Sequence, residues 1–301
     1  MKSQDNPEVI GIDLGGTAIK FGRFLADGTC LEFRRIPTPQ PSEPHRVIEA
    51  IAQTVQELNQ GQAIALGVGV PGPADVAGKV ALVAINLVRW QNVPLAQELE
   101  EKTGLPTVIA NDANCAGLGE AWIGAAANFR HSILLTLGTG VGGAIILDGQ
   151  LFTGYDGAAG ELGLMTINPE GPPCNSGNRG SLEQHLSIGA IRRATGKDPA
   201  ELGELANKGD RQALEFWQDY GRILGIGLSN LLYILTPEAA VIGGGVSASA
   251  EFFFPSALAE IEQRVLATSR TRFHLLLAAL GNNAGAIGAA RLAWQQLGDI
   301  E

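Results

Sequence analysis

Cysteine is scarce in this sequence, and the few cysteines are not paired. Only three occur, at positions 30, 115 and 174, an odd number without a close spacing. A disulfide framework is therefore not expected, and we predict a cytoplasmic protein in a reducing compartment. The first residues, MKSQDNPE, are polar and contain no apolar core, so the sequence also predicts no signal peptide.

Positive charge and long apolar runs are also in short supply. The chain has 21 Lys and Arg residues against 31 Asp and Glu residues, which gives a formal net charge of −10. A field of this sign repels nucleic acids and anionic membranes, and no run approaches the roughly 18 apolar residues that cross a bilayer. We expect neither nucleic-acid nor membrane partners. An anionic substrate would need a bound metal or backbone N–H groups to balance its charge.

Glycine, by contrast, is abundant. The 301 residues include 40 glycines, about twice the ordinary share, which predicts tight turns or close approach of the backbone to a ligand. With 45% hydrophobic and 17% charged residues, the composition is that of a globular protein. The length suits one large domain or two domains of ordinary size.

One segment pattern occurs twice. Residues 9–28, VIGIDLGGTAIKFGRFLADG, and residues 133–150, ILLTLGTGVGGAIILDGQ, both read as an apolar strand, a glycine turn, a second strand and an Asp-Gly turn. Helices and strands alternate after each copy, which predicts an α/β protein of two related lobes. We expect a small lobe at residues 1–111, a large lobe at residues 112–285, and a last helix, residues 286–301, that packs back on the small lobe.

Some single elements also follow from apolar periodicity. An amphipathic pattern predicts a helix over Pro44–Leu58. Further helices are expected around Leu182–Ala194 and Arg211–Leu235, and EFFFPSALAEIEQRVLATS is predicted to be helical after Pro255. The segment AAVIGGGVS predicts a strand that runs into a triple-glycine turn.

The two glycine turns are candidates for phosphate binding. Residues 13–17 and residues 138–140 each lie between two predicted strands, so their amides are exposed and can approach phosphate oxygens closely. Neither turn is a P-loop, and a strand rather than a helix follows residues 140–143, which excludes a Rossmann fingerprint. One such turn alone is more often a plain hairpin. Two in matching positions, each with a Thr hydroxyl, favour phosphate binding.

Six motifs, taken together and in order, resemble the ROK sugar kinases of the sugar kinase/actin/chaperone ATPase superfamily. They are GIDLGGTAIKFG, NDANCAGLGE, LTLGTGVGGAIILDG, GAAGELG, AVIGGGVS and GNNAGAIGAA. The resemblance implies two lobes of ribonuclease H-like (actin-like ATPase) fold around a central cleft, and a homodimer. It also implies transfer of a phosphoryl group from ATP, with Mg²⁺, to the primary hydroxyl of a hexose, with glucose as the first expectation.

The resemblance also implies roles for individual residues on the phosphate side. Asp13 would lie near Mg²⁺ through water and would not be a direct ligand. Lys20 either reaches a phosphate or is an ordinary strand lysine. The nucleotide and the transferring phosphate would be bound by Gly15, Gly16, Thr17, Gly138, Thr139, Gly140, Gly243, Gly244 and Gly245.

On the sugar side, the resemblance makes Asp112 the general base and Asn111 a ligand of ring hydroxyls. Glu161 and Glu183 would accept hydrogen bonds from further hydroxyls. Gly72 and Asn86 match sugar-side positions as well. The plain alternative for the Asn-Asp pair is an ordinary helix N-cap, which both residue types favour. Each Glu, seen alone, is more often a solvated charge.

The sequence departs from the family at the zinc site. The four positions where most members carry His and three Cys are Leu164, Cys174, Ser176 and Ser181. Because structural zinc needs four N or S donors, we predict no zinc. Leu164 also cannot bond the sugar as the usual His does, so fructose, mannose or an N-acetylhexosamine remain alternatives to glucose.

Three other functions compete with an ATP-dependent hexose kinase. A sugar-responsive repressor of the same family would carry an additional helix-turn-helix segment, and the acidic charge argues against DNA binding. An actin- or chaperone-like ATPase would not need the Asn-Asp pair and the two glutamates. Polyphosphate could replace ATP as donor, although no basic stripe for a polyanion is evident.

Overall fold

The computed structural model describes residues 6–84 and 86–298. The predictions for residues 1–5 and for the end of the last helix, residues 299–301, lie outside the described residues. The described residues form twelve strands: β1 (Glu8–Leu14), β2 (Ala18–Phe24), β3 (Cys30–Pro37), β4 (Ala63–Val70), β5 (Ala81–Val83), β6 (Gln91–Val93), β7 (Thr107–Asn111), β8 (Ser132–Leu137), β9 (Val141–Leu147), β10 (Gln150–Leu151), β11 (Ala239–Gly243) and β12 (His274–Leu277). They also form ten α-helices: α1 (Pro44–Leu58), α2 (Leu95–Thr103), α3 (Asp112–Trp122), α4 (Glu183–Leu186), α5 (Ile188–Thr195), α6 (Pro199–Asn207), α7 (Arg211–Leu235), α8 (Ala250–Arg264), α9 (Ala267–Arg270) and α10 (Ala284–Gly298). The predicted α/β class is confirmed.

The chain divides into two compact units. The first contains the residues up to Ala127, the segment Gly149–Ala159 and the residues from Asn282 onward, and the second contains Asn128–Asp148 and Gly160–Gly281. This division differs from the predicted boundary at residue 111, because α3 packs against α10 and stays with the first unit.

The first unit contains a sheet of strand order β3-β2-β1-β4-β7. Strand β1 runs antiparallel to β2 and parallel to β4, and β4 runs parallel to β7. The carboxyl ends of β1, β4 and β7 therefore lie at one edge of this sheet, as in other parallel α/β arrangements. Asp13 and Asn111 are near the ends of β1 and β7, so this edge is where the proposed functional residues of the first unit collect.

Helix α10 packs on this sheet and on α3 at backbone contact distance. A Cβ at Gly67 of β4 would collide with the carbonyl of Ala289, and a Cβ at Gly288 would collide with the carbonyl of Cys115. Only glycine allows such an approach, and the small residues of α10 are buried there. The last helix is therefore packed closely against the sheet that contains Asp13.

The second unit repeats the arrangement. Its strands run in the order β9-β8-β11-β12, with β8 antiparallel to β9 and parallel to β11, and β11 parallel to β12. This is the same order and polarity as β2-β1-β4-β7. The core of this unit includes Trp217, Tyr220 and Phe253. The centroids of their rings lie 5.1–5.7 Å apart.

Helix α8 corrects one prediction. It begins at Ala250, before Pro255, rather than after it, and it ends at Arg264 instead of continuing to Ser269. The reason is packing: Phe253 is fully buried against Trp217 and Tyr220, which stabilises a first turn that Pro255 alone would disfavour. No helix of the described residues is both long and apolar enough to cross a membrane.

Candidate functional site

The first glycine turn, residues 15–17, joins β1 to β2. Its first N–H, from Gly15, donates to the carbonyl of Ala18 at 3.0 Å. All three turn carbonyls accept hydrogen bonds from Thr38 or Gln40, at 2.6–3.3 Å. In the part of the chain that the structure describes, the N–H groups of Gly16 and Thr17 have no acceptor. Two adjacent unpaired amides of this kind are suited to a phosphate oxygen.

Asp13 sits beside this turn between two sources of positive charge. Its Oδ2 lies 2.8 Å from Nζ of Lys20, the residue directly opposite it on β2. Nζ of Lys20 also donates to the carbonyl of Asn282 at 2.7 Å. A Cβ at Gly285, the second residue of α10, would lie 2.8 Å from Cγ of Asp13, so the positive end of this helix also faces the carboxylate. Lys20 is therefore a partly buried ammonium that is held by Asp13 and by the carbonyl of Asn282.

Asn111 and Asp112 occupy the junction of β7 and α3. Asn111 is the N-cap: its Oδ1 accepts from the N–H groups of Ala113 at 2.9 Å and Asn114 at 3.2 Å. Its Nδ2 also donates to the carbonyl of Gly72 at 3.2 Å, so the structure brings these two predicted residues together. Asp112 is the first residue of α3, and its Oδ1 accepts from Ala113 N–H at 2.8 Å. The capping role is real, and it leaves both side chains at the carboxyl edge of the sheet.

Cys115 shows that the two carboxylates share one neighbourhood. Burial raises the pKa of this thiol well above its usual value, and the negative charges of Asp13 and Asp112 raise it further. A Cβ at Gly69, the residue that pairs with Asp13, would lie 3.3 Å from Sγ of Cys115 and 3.7 Å from Cα of Asp112. The register agrees, since Asp13 pairs with Gly69 and Gly69 with Ala110, which places β1 and β7 about 10 Å apart.

Asn86 is placed next to the first glycine turn. It is exposed, and its carbonyl oxygen would lie 3.3 Å from a Cβ at Gly16. The structure therefore associates Asn86 with residues 15–17, while Gly72 lies beside Asn111.

The second glycine turn, residues 138–140, joins β8 to β9 and has the same length as the first. Gly138 N–H donates to the carbonyl of Gly140 at 2.9 Å. Within the described residues, the N–H groups of Thr139 and Gly140 have no acceptor. Each unit thus has a three-residue turn that is closed by its first glycine and followed by two unpaired amides.

Glu183 contacts this second turn. Its Oε2 accepts from the N–H of Val141 at 3.0 Å and would lie only 2.6 Å from a Cβ at Gly140. Sequence reasoning did not anticipate this contact, because the two segments are far apart in the chain. Glu183 is the first residue of the short helix α4.

The remaining predicted residues of the second unit lie on loops. Glu161 is exposed and directly precedes a 3₁₀ turn, Leu162–Leu164. Gly243 ends β11, and Gly244 adopts φ 84° with its backbone against that of Leu137, next to the second glycine turn. Around Gly245 there is open space.

A sequence model of the ROK family matches residues 9–296. The chain belongs to the ROK family. The glucokinase of Thermotoga maritima is 33% identical to it, over 97% of this chain and 98% of its own length. The xylose repressor of Bacillus subtilis is 30% identical, over 94% of this chain and 76% of its own length.

Two solved ROK structures are similar along the whole chain. The ROK hexokinase from Thermus thermophilus has a TM-score of 0.87 and 34% identity, covering 97% of this chain and 99% of its own. The ROK family glucokinase from Streptomyces griseus, in complex with glucose and AMPPNP, has a TM-score of 0.77 and 32% identity, covering 96% and 99%. The predicted family and the actin-like ATPase fold are confirmed.

In this ROK protein, the positions of the usual zinc ligands are held by hydrogen bonds. The pKa of Cys174 is lowered by hydrogen bonds from Ser176, and Ser181 adds to the effect. Asn178 donates to the carbonyl of Leu164 at 2.9 Å and accepts from Thr166 at 3.0 Å. No group of three or more His, Cys, Asp or Glu side chains that could hold a metal occurs among the described residues.

Three residues around Asp13 and Asp112 were not predicted from the sequence. They are Cys115, Asn282 and Gly285. The last two lie in GNNAGAIGAA, a motif that was noticed but given no role. A Gly at the second position of an Ala-rich helix is the signal that could have suggested close approach to another group.

Proposed function

We propose that this protein is an ATP-dependent hexose kinase that phosphorylates the primary hydroxyl of its sugar, with glucose as the first expected substrate. One observation carries the proposal. A turn with two unpaired amides follows β1 and Asp112 follows β7 at the same edge of one sheet, and these two strands lie about 10 Å apart. This spacing leaves room for a hydroxymethyl group and a phosphoryl group between them.

Asp112 is proposed as the general base. It lies in the first turn of α3, where the positive helix end interacts favourably with a carboxylate. Phosphoryl transfer requires mainly that the attacking oxygen be positioned and its proton accepted. Asn111 holds Gly72 and the helix start in place, and its amide is proposed to bind neighbouring hydroxyls of the sugar.

ATP and Mg²⁺ are the proposed cofactors. Mg²⁺ keeps several water ligands and needs only one or two carboxylates in addition to phosphate oxygens, so the single carboxylate of Asp13 fits contact through water. Bound there, the ion would neutralise charge on the phosphates. Lys20 supplies a second positive charge near the end of β1, 2.8 Å from the carboxylate of Asp13. Positive charge is otherwise sparse in this acidic chain.

Further roles are proposed for the second unit. The amides of residues 138–140 would bind nucleotide phosphates, and Gly243, Gly244 and Gly245 would lie against the adenosine. Glu161 and Glu183 would accept bonds from ring hydroxyls, Glu183 through the oxygen that Val141 does not use. The glucokinase from Thermotoga maritima and the glucose and AMPPNP complex from Streptomyces griseus support a hexose and a nucleotide as the ligands of such a site.

A second candidate is a sugar-binding ROK protein without catalysis. The similarity to the xylose repressor of Bacillus subtilis favours it. Such a protein would bind a sugar and transfer no phosphate.

A coupled assay distinguishes these functions. Glucose, fructose, mannose and N-acetylglucosamine are each tested with ATP and with polyphosphate, and the product is identified by NMR. We expect ATP-dependent formation of glucose 6-phosphate. Sugar binding without turnover on any combination would support the non-catalytic candidate and refute the kinase.

A further inference from the structure

The first unit contains a cavity of about 340 Å³. It lies beyond the β7 edge of the sheet. Its walls are the outer side of β7, the loop of residues 74–78, the segment of residues 150–157 and the C-terminal half of α10. A volume of this size is at the lower end of the range for small-molecule sites, about 300–1,000 Å³.

Asn114 is the observation that indicates a ligand. This residue lines the cavity and is only 6% exposed. Its backbone N–H donates to Oδ1 of Asn111. Its side-chain amide has no hydrogen-bond partner among the described residues. The amide is not among the buried side-chain atoms that lack a partner, so it is open to the cavity, where a bound molecule can reach it. A molecule in the cavity would provide the missing partner.

The other polar groups of the wall are neutral, except for the carboxylate of Asp75. Thr153, Gln150, Gln295 and Gln296 contribute a hydroxyl and three amides. Gln295 uses one N–H on the carbonyl of Gly149, at 2.9 Å, which leaves its oxygen available. Apolar groups of β7 and α10 complete the wall. Amides and hydroxyls next to small apolar surfaces match the alternating C–H and O–H groups of a polyol.

Charge excludes an anionic ligand. No Lys, Arg or His is among the described residues that line the cavity. Its one charged residue, Asp75, binds the N–H groups of Lys79 and Val80 through Oδ1, at 2.6 and 2.7 Å. A phosphate or nucleotide would meet only this negative charge, whereas a neutral molecule would not be opposed.

The cavity adjoins the proposed sugar site at Asn111 and extends away from it along α10. Gly285 of α10 touches Asp13, while Gln296 lies eleven residues further along the same helix. At the helical rise this is about 16 Å. Gly72 and Asp112 do not line the cavity, and Asn111 is the one proposed sugar ligand that does.

We infer that this cavity is a second binding site, for a small neutral polyhydroxylated molecule such as a monosaccharide or a sugar alcohol. Asn114, Gln296 and Thr153 provide its hydrogen bonds. The inference concerns binding only and does not rest on the proposed kinase activity.

The test counts binding equivalents. Glucose, xylose, sorbitol and inorganic phosphate are titrated by calorimetry into wild type, Gln296→Trp, which fills the cavity from α10, and Gln53→Trp, a matched change on the exposed face of α1. We expect at least one neutral probe to show an equivalent that Gln296→Trp loses or binds at least about tenfold more weakly, and that Gln53→Trp keeps. If Gln296→Trp unfolds, Gln296→Leu and Thr153→Val replace it. Unchanged binding of all three neutral probes, or a loss confined to phosphate, overturns the inference.

Discussion

Replacing Gly285 by alanine tests whether the position of the Asp13 carboxylate controls activity. A Cβ at Gly285 would lie 2.8 Å from Cγ of Asp13 and 3.1 Å from each carboxylate oxygen. Ordinary carbon contacts are about 3.5–4.0 Å, so the carboxylate must move by roughly 0.5–1 Å or α10 must tilt. Either change alters the ion pair with Lys20, which is 2.8 Å long in the native arrangement.

Two opposing effects determine the stability of Gly285→Ala. Alanine is favoured over glycine in a helix by up to about 1 kcal/mol, whereas overpacking costs about 1–3 kcal/mol. We expect the free energy of unfolding to fall by about 0–2 kcal/mol, which leaves the protein folded. The activity should change more, because a displacement of about 1 Å near the reacting groups can lower the rate about 100-fold.

The assay measures kcat/KM for MgATP, nucleotide affinity by calorimetry and stability by urea unfolding. For Gly285→Ala we expect kcat/KM to fall about 10- to 100-fold. Gly189→Ala is the matched control, since Gly189 is also the second residue of its helix and its Cβ would meet only Ser187 Oγ, at an ordinary 3.7 Å. Wild-type kcat/KM and nucleotide affinity in Gly285→Ala would refute the reasoning about Asp13.

Three further predictions follow from particular contacts. Lys20→Met should weaken MgATP binding about tenfold, because it removes the positive charge next to Asp13. Calorimetry measures the affinity, and an unchanged value would show that Lys20 only forms an ion pair with Asp13 and does not bind the nucleotide. Burial, and then the charge of Arg193, lower the pKa of His185 in the folded protein. The unfolded chain therefore binds more protons, and the free energy of unfolding should decrease as the pH falls below about 6.5. Urea titrations of His185→Gln should show less of this decrease, and pH profiles identical to those of wild type would contradict the prediction. Ser176→Ala should raise the pKa of Cys174, because it removes the side-chain hydrogen bond of Ser176, the largest cause that lowers this pKa. Iodoacetamide labelling against pH measures the shift, and an unmoved midpoint would count against that contact.

Elements with local signals could be predicted closely from the sequence. Helices α1 and α7 have the predicted bounds, Pro44–Leu58 and Arg211–Leu235. In α1 a proline occupies the first position, and in α7 the Asp210 side chain accepts from Ala213 N–H at 2.9 Å. Strong amphipathic patterns then fix the rest of each helix.

Elements that depend on distant partners could not be predicted. Strand β12 (His274–Leu277) is four residues long and half exposed, and it is defined by its parallel pairing with β11. No local pattern distinguishes such a strand from a loop. The start of α8 was wrong for the same reason, since the packing of Phe253 outweighs the local signal of Pro255.

The candidate site divides in the same way. The Asn111 cap and the two glycine turns follow from short patterns in the sequence. The link from Lys20 to Asn282 and the bond from Val141 to Glu183 join segments far apart in the chain, and only the folded arrangement reveals them. The roles of the individual residues remain predictions.

The most direct test of the central claim is the turnover of Asp112→Asn. This change keeps the size of the side chain and removes its ability to accept a proton. We predict that kcat falls about 10²- to 10⁴-fold, while the dissociation constants for ATP and the hexose, measured by calorimetry, stay within about threefold of wild type. Asp27→Asn, in the exposed turn after β2, serves as the control and should keep full activity. Turnover of Asp112→Asn near the wild-type rate would contradict the assignment of Asp112 as the base.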